Sequence, residues 1–289
     1  MTSTNPAGAG VSLLPRATPA PPATPKRRPL HGSGQAIGLG FVVLYLSLIV
    51  LIPLAAVVAK GQENGFSGFW KAVTTPEAAS TLKLTIGASL VVALINAVMG
   101  TLIAWVLVRE RVPGRALLDA LIDLPFALPT IVAGLALLTV YGTQSPVGLD
   151  IAYTRLAVVV ALLFVTLPFV VRTVQPVLLE LDTEMEQAAA SLGAGPATIF
   201  FRIVLPNIVP AIAAGTALSF ARAMSEFGST VLISGNLPFK TQVASVHIFN
   251  QLEGDNLAGA AAVSTVLLVV SLVVLVALDL LQRWAARRG

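Results

Sequence analysis

The chain has 289 residues, of which 56% are hydrophobic and 11% are charged, and its formal net charge is +4. Average soluble chains carry about twice that share of charged residues, so the composition excludes an ordinary water-soluble domain and is typical of a helical membrane protein. Continuous apolar runs exclude a transmembrane β-barrel, whose strands alternate in hydrophobicity. We interpret the excess of basic residues as loop cations that orient the chain in the membrane, and we expect no nucleic acid as partner.

The N-terminal residues 1–35 are rich in Pro, Ala, Thr and Gly and contain a basic run, Lys26, Arg27 and Arg28. This composition buries too little apolar surface to fold, so we predict a disordered cytoplasmic tail, followed by a membrane domain over 36–289. A cleaved signal peptide is the alternative. The apolar run over 37–59 is longer than the usual core of a signal peptide and favours an uncleaved first span.

Apolar runs near or above the ~20 residues that cross a bilayer predict an all-α, polytopic membrane protein. Six spans are predicted, over 37–59, 84–108, 119–141, 156–178, 207–233 and 258–281. With the N-terminus in the cytoplasm, eleven cations lie inside or at the inner edge and five lie outside. The outer five are Lys60, Lys71, Lys83, Arg155 and Lys240. This bias predicts a multi-pass protein of the cell (inner or plasma) membrane with both termini in the cytoplasm.

Predicted span three contains Pro125 and Pro129, which remove backbone donors and free carbonyl groups. Such breaks are tolerated in a membrane where the freed groups face protein or a water-filled path, so a packing kink and a pathway role both remain open. Asp119 and Asp123 precede the break, and we expect them to be solvated near the inner surface. In span two, Asn96 is expected to form hydrogen bonds between helices.

The loop between spans four and five, over about 180–206, contains a predicted short helix at 184–192. Met185, Ala188, Ala189 and Leu192 share one face of this helix, with spacing i, i+3, i+4 and i+7. Gly193 is expected to end it, and Gly195-Pro196 to begin a second short helix. A face of small residues favours docking into a groove on another protein. A helix lying on lipid headgroups is the alternative, and it would carry Lys or Arg and large aromatics, which this helix lacks.

The same loop carries a motif of two polar residues, two alanines, a glycine and a closing Ile-x-Leu-Pro element, formed by Glu186, Gln187, Ala188, Ala189, Gly193, Ile203, Leu205 and Pro206. Nine residues separate Gly193 from Ile203, and the pattern resembles the EAA loop of ABC-importer permeases. The resemblance implies that the loop enters a cleft on a cytoplasmic ATPase. The glutamate usual in that family falls at Gln187, so either Gln187 forms a hydrogen bond there or Glu186 substitutes for it.

Three further segments, over 123–134, 167–182 and 220–241, resemble sulfate/thiosulfate permease subunits of the T type. The resemblance runs from about 37 to the C-terminus, and it implies a six-span, type I ABC-importer permease that moves sulfate or thiosulfate into the cytoplasm. The implied partners are a cytoplasmic ATPase dimer, a second related permease in a heterodimer and an extracytoplasmic sulfate-binding protein. Permeases for molybdate, tungstate or another oxyanion are the alternative, although molybdate permeases tend to be shorter.

Predicted span five places Arg222 roughly 22 Å above the inner surface, counting ~1.5 Å per residue from Asn207. A charge at that depth pairs with another charge or faces water. One interpretation is a structural ion pair between Arg222 and Glu226. The other is an anion route lined by Arg222 and nearby hydroxyls, with Glu226 restraining the arginine. The candidate pathway residues are Arg222, Ser225, Glu226, Ser229, Thr230, Pro125 and Pro129.

The chain contains no G-x-x-x-x-G-K-[ST] phosphate loop, so ATP hydrolysis by that route would be the work of a partner. We expect a non-catalytic subunit with no cofactor, and the two histidines, His31 and His247, have no metal-ligand spacing. Functions of other classes are an intramembrane enzyme, for which the spans offer no convergent catalytic set, and an ion-coupled secondary transporter, which would not need the EAA loop.

Overall fold

The computed structural model describes residues 33–286, with side chains over 37–280. Nearly all of the predicted tail over 1–35 lies outside the described residues, and helix begins at Ser33. Within 33–286 the chain forms helices and no strands. The helices are α1 (Ser33–Leu46), α2 (Ile52–Gly61), α3 (Gly65–Thr74), α4 (Pro76–Arg109), α5 (Arg115–Ala127), α6 (Thr130–Tyr141), α7 (Arg155–Glu180), α8 (Thr183–Ser191), α9 (Pro196–Ile199), α10 (Leu205–Met224), α11 (Gly228–Ile233), α12 (Ala244–Glu253) and α13 (Leu257–Ala286).

The chain divides into two units, one ending at Ile49 and the other beginning at Val50. The described part of the first unit consists of α1 and the beginning of a π-helical turn over Ser47–Leu51, and α2 belongs to the second unit. Large apolar side chains on α1, including Phe41 and Leu44, are exposed. A helix that is apolar all round suits a lipid environment, as the first predicted span requires.

Five long helical stretches are apolar enough to cross a membrane, over Ile37–Gly61, Pro76–Arg109, Arg155–Glu180, Pro196–Met224 and Leu257–Leu280. The pair α5 and α6 makes a sixth span if it is counted as one, and the two helices are bent by 115° at the break between them. The prediction of an all-α protein with up to six spans is therefore confirmed. The predicted start of span two at 84 is late, because α4 begins at Pro76 and includes Lys83.

The second unit is built around α4, α7 and α10, which pack against one another through a cluster of buried aliphatic side chains. Lipid tails are as apolar as these side chains, so helices in a membrane associate through close fit rather than through the hydrophobic effect. A Cβ on Gly215 of α10 would lie 2.8 Å from the Val170 Cα of α7, and a Cβ on Gly100 of α4 would lie 2.8 Å from the Val170 Cβ. These glycines let the three helices approach closely.

A polar contact joins the same three helices in their buried interior. The Asn96 side-chain amide on α4 donates to the Thr166 hydroxyl on α7 at 2.8 Å and to the Ser219 hydroxyl on α10 at 3.3 Å. All three side chains are buried. The expectation that Asn96 forms hydrogen bonds between helices is confirmed.

Predicted spans three and five are each interrupted in the structure. Pro125 lies inside α5, and Pro129 is the N-cap of α6. The prediction of one helix over 207–233 is wrong, because α10 ends at Met224 and α11 begins at Gly228. The physical reason lies between them, where the Glu226 carboxylate accepts a hydrogen bond from the Ser229 backbone nitrogen and so competes with a continuous helix.

The two interrupted spans meet where α6 packs against α11. A Cβ on Gly134 would lie 2.8 Å from the Ser229 Cα, and a Cβ on Gly228 would lie 2.8 Å from the Ile131 backbone nitrogen. Only glycine allows contacts this close. The proline break of span three and the break of span five are therefore neighbours in space.

Candidate functional site

The sequence around α8 contains local signals for the start and the end of a helix. Its N-cap is Asp182, whose carboxylate accepts a hydrogen bond from the Glu184 backbone nitrogen at 2.8 Å. Glu184 and Glu186 in the first turn suit the positive end of the helix dipole. Gly193 follows with φ +86°, a left-handed conformation that favours glycine. The predicted helix and its glycine end are confirmed.

The second half of the 180–206 loop is fastened to the helical core. Gly195 is the N-cap of α9, and Pro196 is the first residue of that helix, as the sequence predicts. A π-helical turn over Phe200–Val204 then leads into α10, and Val204 is fully buried among the side chains of α4, α7 and α10. The Phe200 ring meets the Trp105 ring edge-on, with 5.2 Å between their centroids. Movement of the loop would therefore reach α4 directly.

The apolar face of α8 has no covering within the described part of the chain. Met185 is 44% exposed and Leu192 is 90% exposed, while Ala188 is exposed and Ala189 is half-buried. A protruding leucine beside small alanines makes a projection that another surface could receive. We name Met185, Ala188 and Leu192 the α8 knob.

Glu186, on the same short helix, is turned toward the protein. Its Oε1 lies 2.5 Å from the Arg109 Nη2 at the end of α4, and the two side chains are only 20% and 16% exposed. The Arg109 guanidinium also lies over the Trp105 ring, 5.7 Å from its centroid. No spacing in the sequence indicates this pair, since 77 residues separate its members.

The Arg109–Glu186 pair distinguishes Glu186 from Gln187, the two polar residues of the motif that are candidates for a contact with another protein. Glu186 is engaged within the chain, so substituting for the usual family glutamate would require this ion pair to open. Gln187 is exposed, and its side-chain amide has no hydrogen-bond partner within the described residues. Gln187 is therefore the polar side chain of the motif that is free for another protein.

The second candidate site surrounds Glu226, which lies in the break between α10 and α11. Its Oε2 lies 2.7 Å from the Arg222 Nη2, and the two side chains are 1% and 29% exposed. Its Oε1 accepts from the Ser229 backbone nitrogen at 2.8 Å and from the Ser229 hydroxyl at 2.9 Å. The Ser245 hydroxyl of α12 donates to the Glu226 carbonyl oxygen at 2.6 Å. Glu226 thus joins α10, α11 and α12, a role that the sequence did not indicate beyond its pairing with Arg222.

The other residues predicted for the pathway are separated by the structure into two groups. Ser229 and Thr230 are fully buried, and the Thr230 hydroxyl donates to the Phe227 carbonyl oxygen at 3.0 Å. Ser225 is exposed and borders a cavity of about 560 Å³ between α10, α12 and α13. Pro129 is exposed, and Pro125 lines a cavity of about 480 Å³ against α4 and α7. The hydroxyls predicted to face an anion are thus already engaged at Ser229 and Thr230.

A third charged cluster joins α5 to α7, and the sequence did not predict it. The Arg172 guanidinium makes two hydrogen bonds of 2.7 Å to the Asp123 carboxylate and one of 3.0 Å to the Asp119 carboxylate. The Gln175 side chain also contacts Asp119, at 3.3 Å. Asp123 is exposed, as expected of a solvated acid, and Asp119 is half-buried, but both also accept hydrogen bonds from Arg172, which was not predicted. Spacing i, i+4 on α5 lets one planar guanidinium reach both acids.

Comparisons with known proteins agree with this architecture. Residues 96–288 match the family described as "Binding-protein-dependent transport system inner membrane component". The chain is 48% identical over 262 residues to the "Sulfate transport system permease protein CysT" of Synechocystis sp., covering 88% of this chain and 92% of that protein. It is 42% identical over 262 residues to the protein of the same name from Escherichia coli, covering 88% of this chain and 95% of that protein.

Solved structures resemble the fold at lower identity. A bacterial alginate ABC transporter in complex with its alginate-bound periplasmic protein contains a chain that superposes with a TM-score of 0.71 at 19% identity, covering 86% of this chain and 93% of that chain. The MetNI methionine ABC transporter contains one with a TM-score of 0.54 at 18% identity, covering 73% and 99%. The family match spans more than half of the chain, and the sequence relatives span nearly all of it. This multi-pass membrane protein therefore belongs to the family of inner membrane components of binding-protein-dependent transport systems.

Proposed function

We propose that this chain is a permease subunit of an ATP-driven ABC importer that moves sulfate, and thiosulfate as a close chemical relative, into the cytoplasm. The observation that carries the coupling to ATP is the α8 knob, an apolar projection left exposed beside a buried ion pair. Relatives with 42% to 49% identity are named sulfate transport permeases, which supports sulfate as the substrate.

Coupling follows from how the 180–206 loop is attached. An ATPase cleft receives the α8 knob, and Gln187 forms the polar contact at its edge. When the ATPase dimer closes on ATP, it displaces α8, and the Arg109–Glu186 pair transmits that displacement to α4. The Phe200–Trp105 contact and buried Val204 transmit it to the core of α4, α7 and α10. The spans then open toward the outside, and hydrolysis returns them to the inward-open state.

The complete importer has further subunits. We propose a cytoplasmic ATPase dimer, a second related permease that forms a heterodimer with this chain in the bilayer, and an extracytoplasmic binding protein that delivers sulfate. Both termini lie in the cytoplasm, and the membrane domain covers 36–289. The permease itself does not hydrolyse ATP.

The anion route passes the neighbouring breaks of spans three and five. Arg222 and Ser225 are the members of the predicted set with exposed surface there, and the Pro125 and Pro129 break forms the adjoining wall. Glu226 pairs with Arg222, so the arginine attracts sulfate without holding it tightly. Ser229 and Thr230 belong to the same site as supports, because Ser229 fixes Glu226 and Thr230 stabilises the start of α11.

Molybdate, tungstate and other oxyanions remain the second candidate, since they share the charge and shape of sulfate. An ion-coupled secondary transporter would have no use for the α8 knob.

The testing experiment reconstitutes the permeases with the ATPase and the binding protein in proteoliposomes and measures radioactive sulfate uptake. We expect uptake that requires ATP and is inhibited by thiosulfate more strongly than by molybdate. Uptake driven by an ion gradient without ATP, or inhibited best by molybdate, would contradict the proposal.

A further inference from the structure

A basic pocket lies at the end of the molecule opposite α8. It is a cavity of about 460 Å³ between the first turns of α4 and the start of α7, and its lining includes Lys83, Arg155, Ser80 and Gly87. None of its lining residues is acidic. Lys83 precedes Arg109 by 26 residues on the same helix, which at ~1.5 Å per residue puts the pocket about 39 Å from the Arg109–Glu186 pair. We name this cavity the outer basic pocket.

Arg155 is held in place by groups that leave its charge uncompensated. Its Nε donates to the Lys240 carbonyl oxygen at 3.0 Å, and its Nη2 donates to the Phe239 carbonyl oxygen at 3.4 Å. The loop that carries these carbonyls is fastened to the start of α7, because the Tyr153 backbone nitrogen donates to the Ile233 carbonyl oxygen at 2.9 Å. Neutral acceptors orient the guanidinium, and no carboxylate within the described residues forms an ion pair with it.

Lys83 has no hydrogen-bond or ion-pair partner among the described side chains. It lies about 10 Å along α4 from the first residue of the helix, at ~1.5 Å per residue. A lysine within a membrane-spanning helix is costly unless water or an anion compensates its charge. Arg109, Arg172 and Arg222 each form an ion pair with a carboxylate, whereas Lys83 and Arg155 do not.

Two further cavities lie between α4 and α7, beyond the outer basic pocket along these helices. The first has a volume of about 340 Å³, and its lining includes Ile95, one turn beyond Val91 on α4, together with Val160 and Leu167 of α7. Leu167 in turn lines the cavity of about 480 Å³ that contains Pro125. The three cavities therefore follow one another along α4, from the outer basic pocket toward the span-three break.

We propose that the outer basic pocket binds a tetrahedral oxyanion at the extracytoplasmic entrance of the permease. Two cations and a serine hydroxyl suit the oxygens of such an anion, and the absence of acids from the lining favours its approach. The identification of the anion as sulfate released by the binding protein rests on the proposed function. A lipid headgroup phosphate has the same chemistry and would enter from the bilayer, so the test separates the two sources.

The direct test measures how fast an amine-reactive reagent modifies Lys83 in the purified importer, by mass spectrometry, with and without sulfate at constant ionic strength set by chloride. We expect sulfate to slow the modification of Lys83 severalfold and to leave Lys71 unaffected. Lys71 is the matched control, because it is an exposed lysine on the same side of the molecule and outside the pocket lining. In Arg155→Gln the protection of Lys83 should be lost. Equal modification with and without sulfate would overturn the proposal, whether or not the complex transports.

The transport test compares wild type, the double variant Lys83→Gln with Arg155→Gln, and Lys71→Gln in proteoliposomes. The loss of charge-assisted hydrogen bonds should lower sulfate uptake per ATP by about tenfold in the double variant. Lys71→Gln should resemble wild type, and the charge-conserving pair Lys83→Arg with Arg155→Lys should retain most of the uptake, which excludes a folding defect. Sulfate uptake by the wild type tests the proposed function separately, so the two failures are distinguishable.

Three results would contradict the assignment to sulfate. Unchanged uptake per ATP in the double variant is the first. The second is a higher half-maximal concentration of binding protein with unchanged maximal uptake, because the two cations would then bind an acidic protein surface. The third is loss of co-purified phosphatidylglycerol with unchanged uptake, which would assign the pocket to a lipid phosphate.

Discussion

Arg109 and Glu186 form an ion pair between the last turn of α4 and the first turn of α8, with Nη2 and Oε1 separated by 2.5 Å. Both side chains are largely buried, and Trp105 covers the guanidinium from one side. This pair fixes the position of the α8 knob relative to α4, a helix of 34 residues. A loop attached in this way can transmit force instead of bending on its own.

Neutralising one member of this pair should weaken coupling more than assembly. Glu186→Gln removes the acceptor's charge from an ion pair whose hydrogen bond is worth about 1.5–3 kcal/mol and leaves the Arg109 charge without a counterion. We expect sulfate transported per ATP to fall severalfold while the complex still purifies intact. Glu184→Gln is the matched control, because Glu184 is an exposed acid in the same first turn. Identical transport stoichiometry in the two variants would show that the pair does not carry the coupling.

Gly193→Val should stop transport without preventing membrane insertion. At φ +86° a residue with a side chain is strained by roughly 1–2 kcal/mol, and no heavy atom lies within 4 Å of the added Cβ, so the effect would come from the backbone. The expected readout is lost sulfate uptake at a normal level of protein in the membrane. Gly195→Ala is the control, since Gly195 has φ −71° and equally open surroundings. Normal sulfate uptake by Gly193→Val would show that Gly193 is not needed to couple ATP hydrolysis to transport.

Gln187 tests whether an amide serves where the family usually has an acid. Its side chain is exposed and free, so Gln187→Glu should be tolerated and Gln187→Leu should weaken binding of the ATPase. The measurement is the amount of ATPase that co-purifies with each variant as the salt concentration rises. If all three proteins retain the ATPase equally, the polar contact lies elsewhere on the loop.

Amide substitutions at Arg222 and Glu226 test whether Arg222 steers the anion or only forms an ion pair with Glu226. Replacing Glu226 with leucine would leave the buried Ser229 backbone nitrogen without its acceptor, so the double variant Arg222→Gln with Glu226→Gln is preferable. If Arg222 steers the anion, this variant should assemble and hydrolyse ATP but transport sulfate poorly. Uptake per assembled complex near that of wild type would leave Arg222 and Glu226 as a structural ion pair.

Local patterns in the sequence predicted the local structure well. Helix α8, the left-handed Gly193, the Pro196 restart and the hydrogen bonds of Asn96 all follow from signals within a few residues or from the cost of a polar group in the membrane. The number of spans was predictable from the length of the apolar runs, because about 20 apolar residues are needed to cross a bilayer. The ends of the spans were harder to predict, because α4 continues beyond its apolar run to Pro76.

Contacts between distant segments were not predictable from a single sequence. Nothing near Arg109 indicates Glu186, and nothing near Arg172 indicates Asp119 and Asp123, since only the packed fold brings α4 to α8 and α5 to α7. The break after Met224 was missed because Val231, Leu232 and Ile233 extend the apolar run beyond the polar residues Ser225 and Glu226. The buried Glu226 was the available signal, because an acid inside a span needs several donors and can draw them from the backbone.

The most direct test of the central claim uses the absence of cysteine from the sequence, which makes Leu192→Cys a single reactive thiol on the α8 knob. The rate of maleimide labelling is measured in the permease alone and in the complete complex with the ATPase. Leu149→Cys, an exposed site in the loop between α6 and α7, is the control. We expect the ATPase to protect Leu192→Cys strongly and to leave Leu149→Cys unchanged. Equal labelling of Leu192→Cys with and without the bound ATPase would contradict the docking of α8 and, with it, the proposed route by which ATP drives sulfate import.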